Sequence, residues 1–263
     1  MDILNKITAF KKEEVRRKKT QIPVKDLQKS VFYEMKPPSF YESLLRNEPA
    51  IIGEFKRKSP SKGIINNTSD VRDVAAGYQK AGVASMSILT DKEFFGGDNR
   101  DLSVIATFSP LPLLRKDFIV DEYQVIEAKS IGASAILLIG SILTVKKSYE
   151  LTRLASELGM DVLFEIHDLT DLEKMNENIR ITGVNNRNLR TFEIDMGNSI
   201  DLLPKLPQQC LKVAESGFNS IKDVLEMFKG GYNAFLIGER FMKTNDPGIT
   251  AYEFINGLKN TGK

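Results

Sequence analysis

From Ala50 onward the chain repeats one unit eight times: a short apolar run of strand length, a turn, and a stretch whose apolar residues fall at helical spacing. The strand-like runs are AIIGEFK (50–56), SMSILT (85–90), LPLLRKD (111–117), AILLIG (135–140), DVLFEI (161–166), ITGVNN (181–186), LKVAES (211–216) and NAFLIG (233–238). The helical stretches are SDVRDVAAGYQKAG, NRDLSVIATF, DEYQVIEAKSIG, TVKKSYELTRLASELG, DLTDLEKMNEN, a short one near Ser199–Leu206, NSIKDVLEMFKGG and, closing the series, GITAYEFINGLK. Several finish on glycine, which accepts the left-handed turn that ends a helix.

Strands separated by helices pair in parallel, because each crossover carries the chain back to the same end of the sheet. An open doubly wound sheet also satisfies the alternation. Eight units without a Gly-rich dinucleotide fingerprint favour a closed (β/α)8 barrel, the TIM-barrel architecture of the α/β class. No composition break interrupts 50–263, so a single domain over 1–263 is expected. Residues 1–48 or so read differently. Ile3, Leu4, Ile7 and Phe10 lie at helical spacing, and KKEEVRRKK continues as a solvated, charged helix. A loop through Lys36-Pro37-Pro38-Ser39 then leads to a short helix, FYESLLR. This segment is expected as a helical extension over the barrel mouth.

Composition narrows the function. A net charge of +2 is too small for the basic footprint of a nucleic-acid protein, yet leaves room for local pockets that take acidic small molecules. The single cysteine, Cys210, excludes an internal disulfide and suits a reducing compartment. One histidine, His167, leaves no His/Cys cluster for zinc. The opening MDILNKITAFKKEEVRRKK lacks the unbroken apolar run of a secretion signal, and Asp2, Glu13 and Glu14 argue against a transit peptide. No apolar run reaches the length of a membrane helix. The expectation is a cytoplasmic monomer with no nucleic-acid or membrane partner.

In a barrel of this kind chemistry sits at the C-terminal ends of the strands. There stand Glu54 and Lys56, Lys116, Glu165, Asn185 and Arg187, and Glu215. Any one of them alone reads as the polar edge of a strand reaching water. Together they converge. Glu54/Lys56 and Asn185/Arg187 are i, i+2 pairs facing one direction, while the intervening Phe55 suits the outer, helix-covered face. Inward charges are costly unless paired or used, and such a ring can hold an acid and a base at separated pKa values. A phosphate site is suggested independently by the loops after strands 7 and 8, AESGFNS and LIGERF. Gly217 and Gly238 let backbone N–H groups approach an anion, and Asn219/Ser220 can cap a helix beginning at Ile221. His167 has no accompanying nucleophile motif and reads as a turn or cap residue. Cys210, at the opposite end, reads as structural. Phe94/Phe95, in DKEFFGG, are either core or the apolar wall of an aromatic ligand site.

The motifs EFKRKSPSKG, TDKEFFGG, LLRKDFIVDEYQ, FEIHD, GVNNRNLRTF, AESG and FLIGERFM, in this order over the barrel, make the chain resemble the indole-3-glycerol-phosphate synthase family. The resemblance spans the barrel and the extension. It implies ring closure of 1-(2-carboxyphenylamino)-1-deoxyribulose 5-phosphate to indole-3-glycerol phosphate, with loss of carbon dioxide and water and without cofactor or metal. By that resemblance Lys116 is the general acid at the carbonyl, and Glu165 the general base or proton relay of later steps. Lys56 binds the substrate's anionic groups or supplies the acid for dehydration; which lysine serves which step stays open. Glu54 and Glu215 orient the lysines and sugar hydroxyls, and Asn185, Arg187 and Ser59 line the carboxylate and hydroxyl side. Ser216, Gly217, Gly238 and Glu239 frame the phosphate, with Ser216 also counted in the catalytic set. Phe95, Phe118, Leu137 and Ile139 wall the anthranilate pocket. Arg240 departs from the family pattern, which commonly has a small residue there. Two alternatives remain: another phosphosugar barrel such as phosphoribosylanthranilate isomerase, or a non-catalytic phosphosugar-binding barrel. The first would lack the extension and carry a Cys/Asp pair at the mouth; the second need not keep Lys116 and Glu165 together.

Overall fold

The computed structural model describes residues 3–188 and 191–261. Its centre is a closed parallel barrel of eight strands in sequential order: β1 (Ala50–Phe55), β2 (Ser85–Leu89), β3 (Leu113–Lys116), β4 (Ala135–Ile139), β5 (Asp161–Ile166), β6 (Ile181–Asn185), β7 (Leu211–Glu215) and β8 (Ala234–Ile237), with β8 pairing back to β1. The period of two settles what each strand shows to either side. Ile51 and Phe55 of β1, Ile136 and Leu138 of β4, and Val162, Phe164 and Ile166 of β5 join the layer between sheet and helices. Ala50 and Ile52, Leu137 and Ile139, and Leu163 fill the barrel interior. Continuing the inward phase upward gives Glu54 on β1, Lys116 on β3, Glu165 on β5 and Glu215 on β7. Apolar layers below and ionisable groups above therefore follow from one alternation.

The extension divides into four helices: α1 (Ile3–Gln21), α2 (Val24–Leu27), α3 (Val31–Glu34) and α4 (Phe40–Leu45). Helix α1 lies on the mouth side, where Leu4 and Ile7 join the interior cluster and Phe10 meets Phe94 edge-on at 5.6 Å. Helices α2 and α3 run beside α8 (Glu122–Ser130). Helix α4 packs at the other end, on β1, β2 and β7, and its Phe40 and Leu44 are completely buried. The floor of the barrel is apolar and otherwise open, which is what those two side chains require. Within the extension, α1 thus packs on the mouth side and α4 against the opposite end.

Three local readings shift. The stretch 168–178 keeps one helical turn, α10 (Leu169–Leu172), because Asn176 turns back to accept the N–H of Asn178 at 3.1 Å, a side-chain bond that competes with helix. The short sixth helix begins earlier, as α11 (Met196–Leu202), capped by Asp195 accepting the Gly197 N–H, and a 3-10 turn at Pro204 ends it. After β1, Lys58–Ser59 and Gly63–Ile64 form a small antiparallel hairpin in place of a plain loop.

Candidate active site

Register brings the ionisable ends level. Glu165 of β5 lies beside Ile139 of β4 and Gly183 of β6, and Asn185 of β6 lies beside Glu215 of β7. Glycine at 183 is a steric requirement here. A side chain would strike the Glu215 carboxylate and come within 3.1 Å of Leu163. Gly238 serves Glu54 in the same way, since a Cβ there would lie 2.9 Å from the Glu54 Cβ.

These groups surround a cavity of about 290 Å³ at the C-terminal mouth, lined by every residue named for the site in the sequence except Glu215, which is fully buried against Lys116. On one wall Lys56 Nζ lies 2.5 Å from Glu54 Oε1. Opposite, Lys116 Nζ contacts Glu215 and stands 3.6 Å from Glu165 Oε2. Burial works against charging the Lys116 ammonium, but Glu215, Glu165 and Glu54 outweigh it and hold its pKa well above the usual lysine value. Glu54 is buried too, and there Lys56 and Lys116 prevail, so its pKa is lowered. Glu215 goes the other way. Burial, with repulsion from Glu165, overcomes the help of Lys116 and raises it to about 7. The mouth therefore holds a firmly protonated lysine beside a carboxylate that exchanges its proton near neutrality, a pairing able to give and take protons during one reaction.

The apolar side is built from Phe95 and Phe118, whose rings tilt at 37° with centroids 5.9 Å apart, above Leu137 and Ile139. Phe95 stands on α6 (Lys92–Phe95), a single turn held by Asp91, whose Oδ1 accepts the N–H groups of Phe94 and Phe95. Opposite this wall the lining becomes cationic. Arg187 donates to Glu239 Oε2 at 3.3 Å and to the Phe192 carbonyl at 3.2 Å, and Lys62 lies 3.8 Å from Glu239 Oε1. The β7 exit turns sharply, with Ser216 at φ 69° and Gly217 at φ 90°. A non-glycine residue in the left-handed region is uncommon and marks a held conformation. Helix α12 (Ile221–Gly230) follows with a complete capping box between Ser220 and Asp223. The Asp223 carboxylate takes the N–H groups of Asn219 and Ser220. The N–H groups of Asn219, Ser220 and Asp223 are thereby taken within the cap itself.

Several lining residues were not singled out as site residues in the sequence. Phe192 and Ile194 come from the loop after β6, and Leu89 and Leu236 from strands β2 and β8. Apolar residues in a loop and in strand interiors carry no signal of their own; only their place at the mouth does. Arg240 also faces the cavity, with its guanidinium over the Phe254 ring at 5.1 Å and bonded to the Asn219 carbonyl. His167 has its backbone N–H on Asp171 Oδ2 at 3.0 Å, as a turn residue does, but its ring turns inward toward Glu165. Cys210 is buried at the entry to β7, away from the mouth, with Sγ on the Ile179 carbonyl.

Residues 4–254 match the family model described as indole-3-glycerol phosphate synthase. A relative of that description from Bacteroides thetaiotaomicron is 42% identical over 258 residues, covering 98% of this chain and 99% of its own. Among solved structures, KGPDC from Streptococcus mutans aligns with a TM-score of 0.61 at 14% identity, over 82% of this chain and 100% of that one. A chain of the tryptophan synthase complex from Pyrococcus furiosus aligns with a TM-score of 0.59 at 14% identity, over 81% and 98%. At such identities these two structures speak for the barrel alone.

Proposed function

We infer the roles at this mouth from one premise: the chain belongs to the indole-3-glycerol phosphate synthase family. It is a carboxy-lyase of tryptophan biosynthesis, closing 1-(2-carboxyphenylamino)-1-deoxyribulose 5-phosphate to indole-3-glycerol phosphate with loss of carbon dioxide and water. The observation that carries the residue assignment is Lys116 held between Glu165 and Glu215 inside a cavity that is apolar at one side and cationic at the other. The anthranilate ring stacks against Phe95, Phe118, Leu137 and Ile139. Lys116 donates a proton to the ketose carbonyl oxygen as the ring carbon attacks. Loss of carbon dioxide restores the aromatic ring, and elimination of the new hydroxyl as water completes the indole, with Glu165 receiving a proton in these later steps. Lys56, fixed by Glu54, meets the substrate carboxylate or protonates the departing hydroxyl. Asn185, Arg187 and Ser59 line the carboxylate and hydroxyl side, and Glu215 orients Lys116.

The phosphate belongs at Ser216-Gly217 and Gly238-Glu239. Because the capping box uses the backbone of Asn219 and Ser220, the anion is held by the backbone before them, supported by Lys62, Arg187 and Arg240. Growth of indole absorbance when the anthranilate-derived phosphosugar is added to purified protein tests the whole assignment, and its absence at high enzyme concentration overturns it. Gly217→Val tests the phosphate end. Its side chain would meet Ile194 Cγ2 and Met196 Sδ at 2.8 Å at a backbone angle that favours glycine. Substrate binding is expected to weaken by roughly 1–3 kcal/mol, with kcat at saturation falling less than kcat/KM. An unchanged KM places the phosphate elsewhere.

We place the protein in the cytoplasm as a monomer forming one domain, extension included. The reading is supported by its single buried cysteine, by a cavity assembled within one chain, and by the burial of α4 under the barrel. Light scattering at the mass of one chain checks the oligomeric state. Among the described residues no helix is long and apolar enough to cross a membrane.

A further inference from the structure

We propose that His167 is a positioning residue for Glu165: its imidazole donates Nε2–H to Glu165 Oε1 and holds that carboxylate where it can accept a proton. The inference rests on the reading of Glu165 as the base. Three buried atoms motivate it. Both ring nitrogens of His167 and Oε1 of Glu165 lie out of solvent without a hydrogen-bond partner in the protein, and buried polar groups of this kind call for an explanation. Nε2 and Oε1 are 3.6 Å apart, just beyond hydrogen-bond length, so a small ring rotation satisfies a donor and an acceptor at once. The other Glu165 oxygen faces Lys116 at 3.6 Å, which makes Glu165 the link between the lysine and the histidine.

The backbone holds the ring in this place. The His167 N–H is bound by Asp171, which Lys174 pins at 3.0 Å, and its carbonyl accepts Asn198 Nδ2 at 3.2 Å. The charged groups facing the imidazole are Glu165 on its own strand, Asp168 and Asp171 from the following turn, Glu215 from β7 and Lys116 from β3. Burial, aided by Lys116, outweighs the nearby carboxylates and lowers the histidine's pKa, so the ring is neutral at physiological pH. A neutral imidazole has one donor and one acceptor, whereas an ionised carboxylate only accepts. The complementary state is therefore Nε2–H against ionised Glu165. A donated hydrogen bond favours the charged form of a carboxylate.

Because this is the chain's only histidine, ring-nitrogen NMR on the 15N-labelled wild-type protein reads it without assignment. The neutral Nε2–H tautomer is expected between about pH 6 and 9. His167→Gln, which keeps an N–H donor, is expected to retain kcat within about threefold. His167→Leu is expected to lower kcat about tenfold and move the acidic limb of the kcat profile up by about one pH unit, with KM within about threefold. A Leu variant with unchanged kcat and acidic limb overturns the proposal, as does an Nδ1–H tautomer or an imidazolium in the wild type. The NMR result decides the matter even where the Leu variant fails to fold. Glu165→Gln separates the two layers: if it retains turnover, the reading of Glu165 falls and this inference with it. If it abolishes turnover while His167→Leu does nothing, only the inference falls.

Discussion

Lys116→Ala is expected to lower kcat by about 10²–10⁴-fold, the range for removal of a positioned general acid. The side chain ends β3 at the centre of the mouth, against Glu215 and within reach of Glu165. Burial alone would drive its proton off; three carboxylates hold it on. Without the ammonium, Glu165 and Glu215 face each other with no cation between them. The stability consequence has a definite sign. A carboxyl whose folded pKa is raised contributes stability that is present below its unfolded value, and that is lost as pH rises through the folded one, here about 7 for Glu215. Losing Lys116 removes what opposes that rise. The variant should therefore fall further behind wild type above pH 7 than at pH 5. Indole-absorbance kinetics and urea midpoints at the two pH values measure both effects. Near-normal kcat removes Lys116 from the acid role, and a stability deficit equal at both pH values contradicts the electrostatic account.

What the sequence made legible was governed by period. Glu54 and Lys56 could be placed together, and Phe55 opposite them, because strand alternation depends on nothing beyond the strand itself. The structure pairs the first two at 2.5 Å and buries Phe55 among the outer helices. Ser220 could be named as a cap for the same reason, since its acceptor serves an N–H three residues away. Lys116, Glu165 and Glu215 are separated by tens of residues, and their meeting depended on the barrel closing with these ends level.

The features that escaped depend on tertiary context. KKEEVRRKK reads as a solvated helix face, and most of it is, but Lys11 within it is 1% exposed. Its spacing puts it in line with Leu4, Ile7 and Val15, but a charged residue there reads as the edge of the apolar stripe. What buries it is the pair of carboxylates that β2 and β3 present beneath it. FYESLLR likewise shows an amphipathic pattern, but not which apolar surface its Phe40 and Leu44 will cover. His167 looked like a turn residue because its backbone is one; its ring acquires meaning only when β5 sets it beside Glu165.

Lys11→Met is expected to destabilise the fold by about 3–5 kcal/mol, the scale for breaking a buried ion pair from one side. Lys11 Nζ lies 2.8 Å from Asp91 Oδ2, 2.9 Å from Asp117 Oδ1 and 2.9 Å from Glu14 Oε2. Asp117 also accepts from Thr90 and meets Arg115, which in turn holds Glu127 at 2.6 Å, where Lys18 of α1 arrives as well. Two lysines of the extension thus belong to a buried ion-pair network beside the mouth. The carboxylates they meet also shape the pocket. Asp91 holds the turn that carries Phe95, and Asp117 Oδ1 accepts the N–H of Phe118. The loss of Lys11 should therefore raise KM in addition to lowering stability. Its pH dependence follows from the two aspartates. Burial opposes ionisation at both. At Asp117 the cations Lys11 and Arg115 win, so its pKa is lowered and it contributes stability above its unfolded value that is lost as pH falls. At Asp91 burial wins and the pKa is raised, so ionising it costs stability as pH rises. Removing Lys11 worsens the balance at both, and protonation relieves it. The deficit should be largest near pH 7 and shrink as pH falls below about 5. Adding Asp91→Asn to Lys11→Met should recover part of the loss, because one uncompensated charge is gone. Urea midpoints for the single and double variants at both pH values measure this. A deficit under about 1 kcal/mol at pH 7, the scale of an exposed pair, would place Lys11 among the ordinary surface lysines of its run.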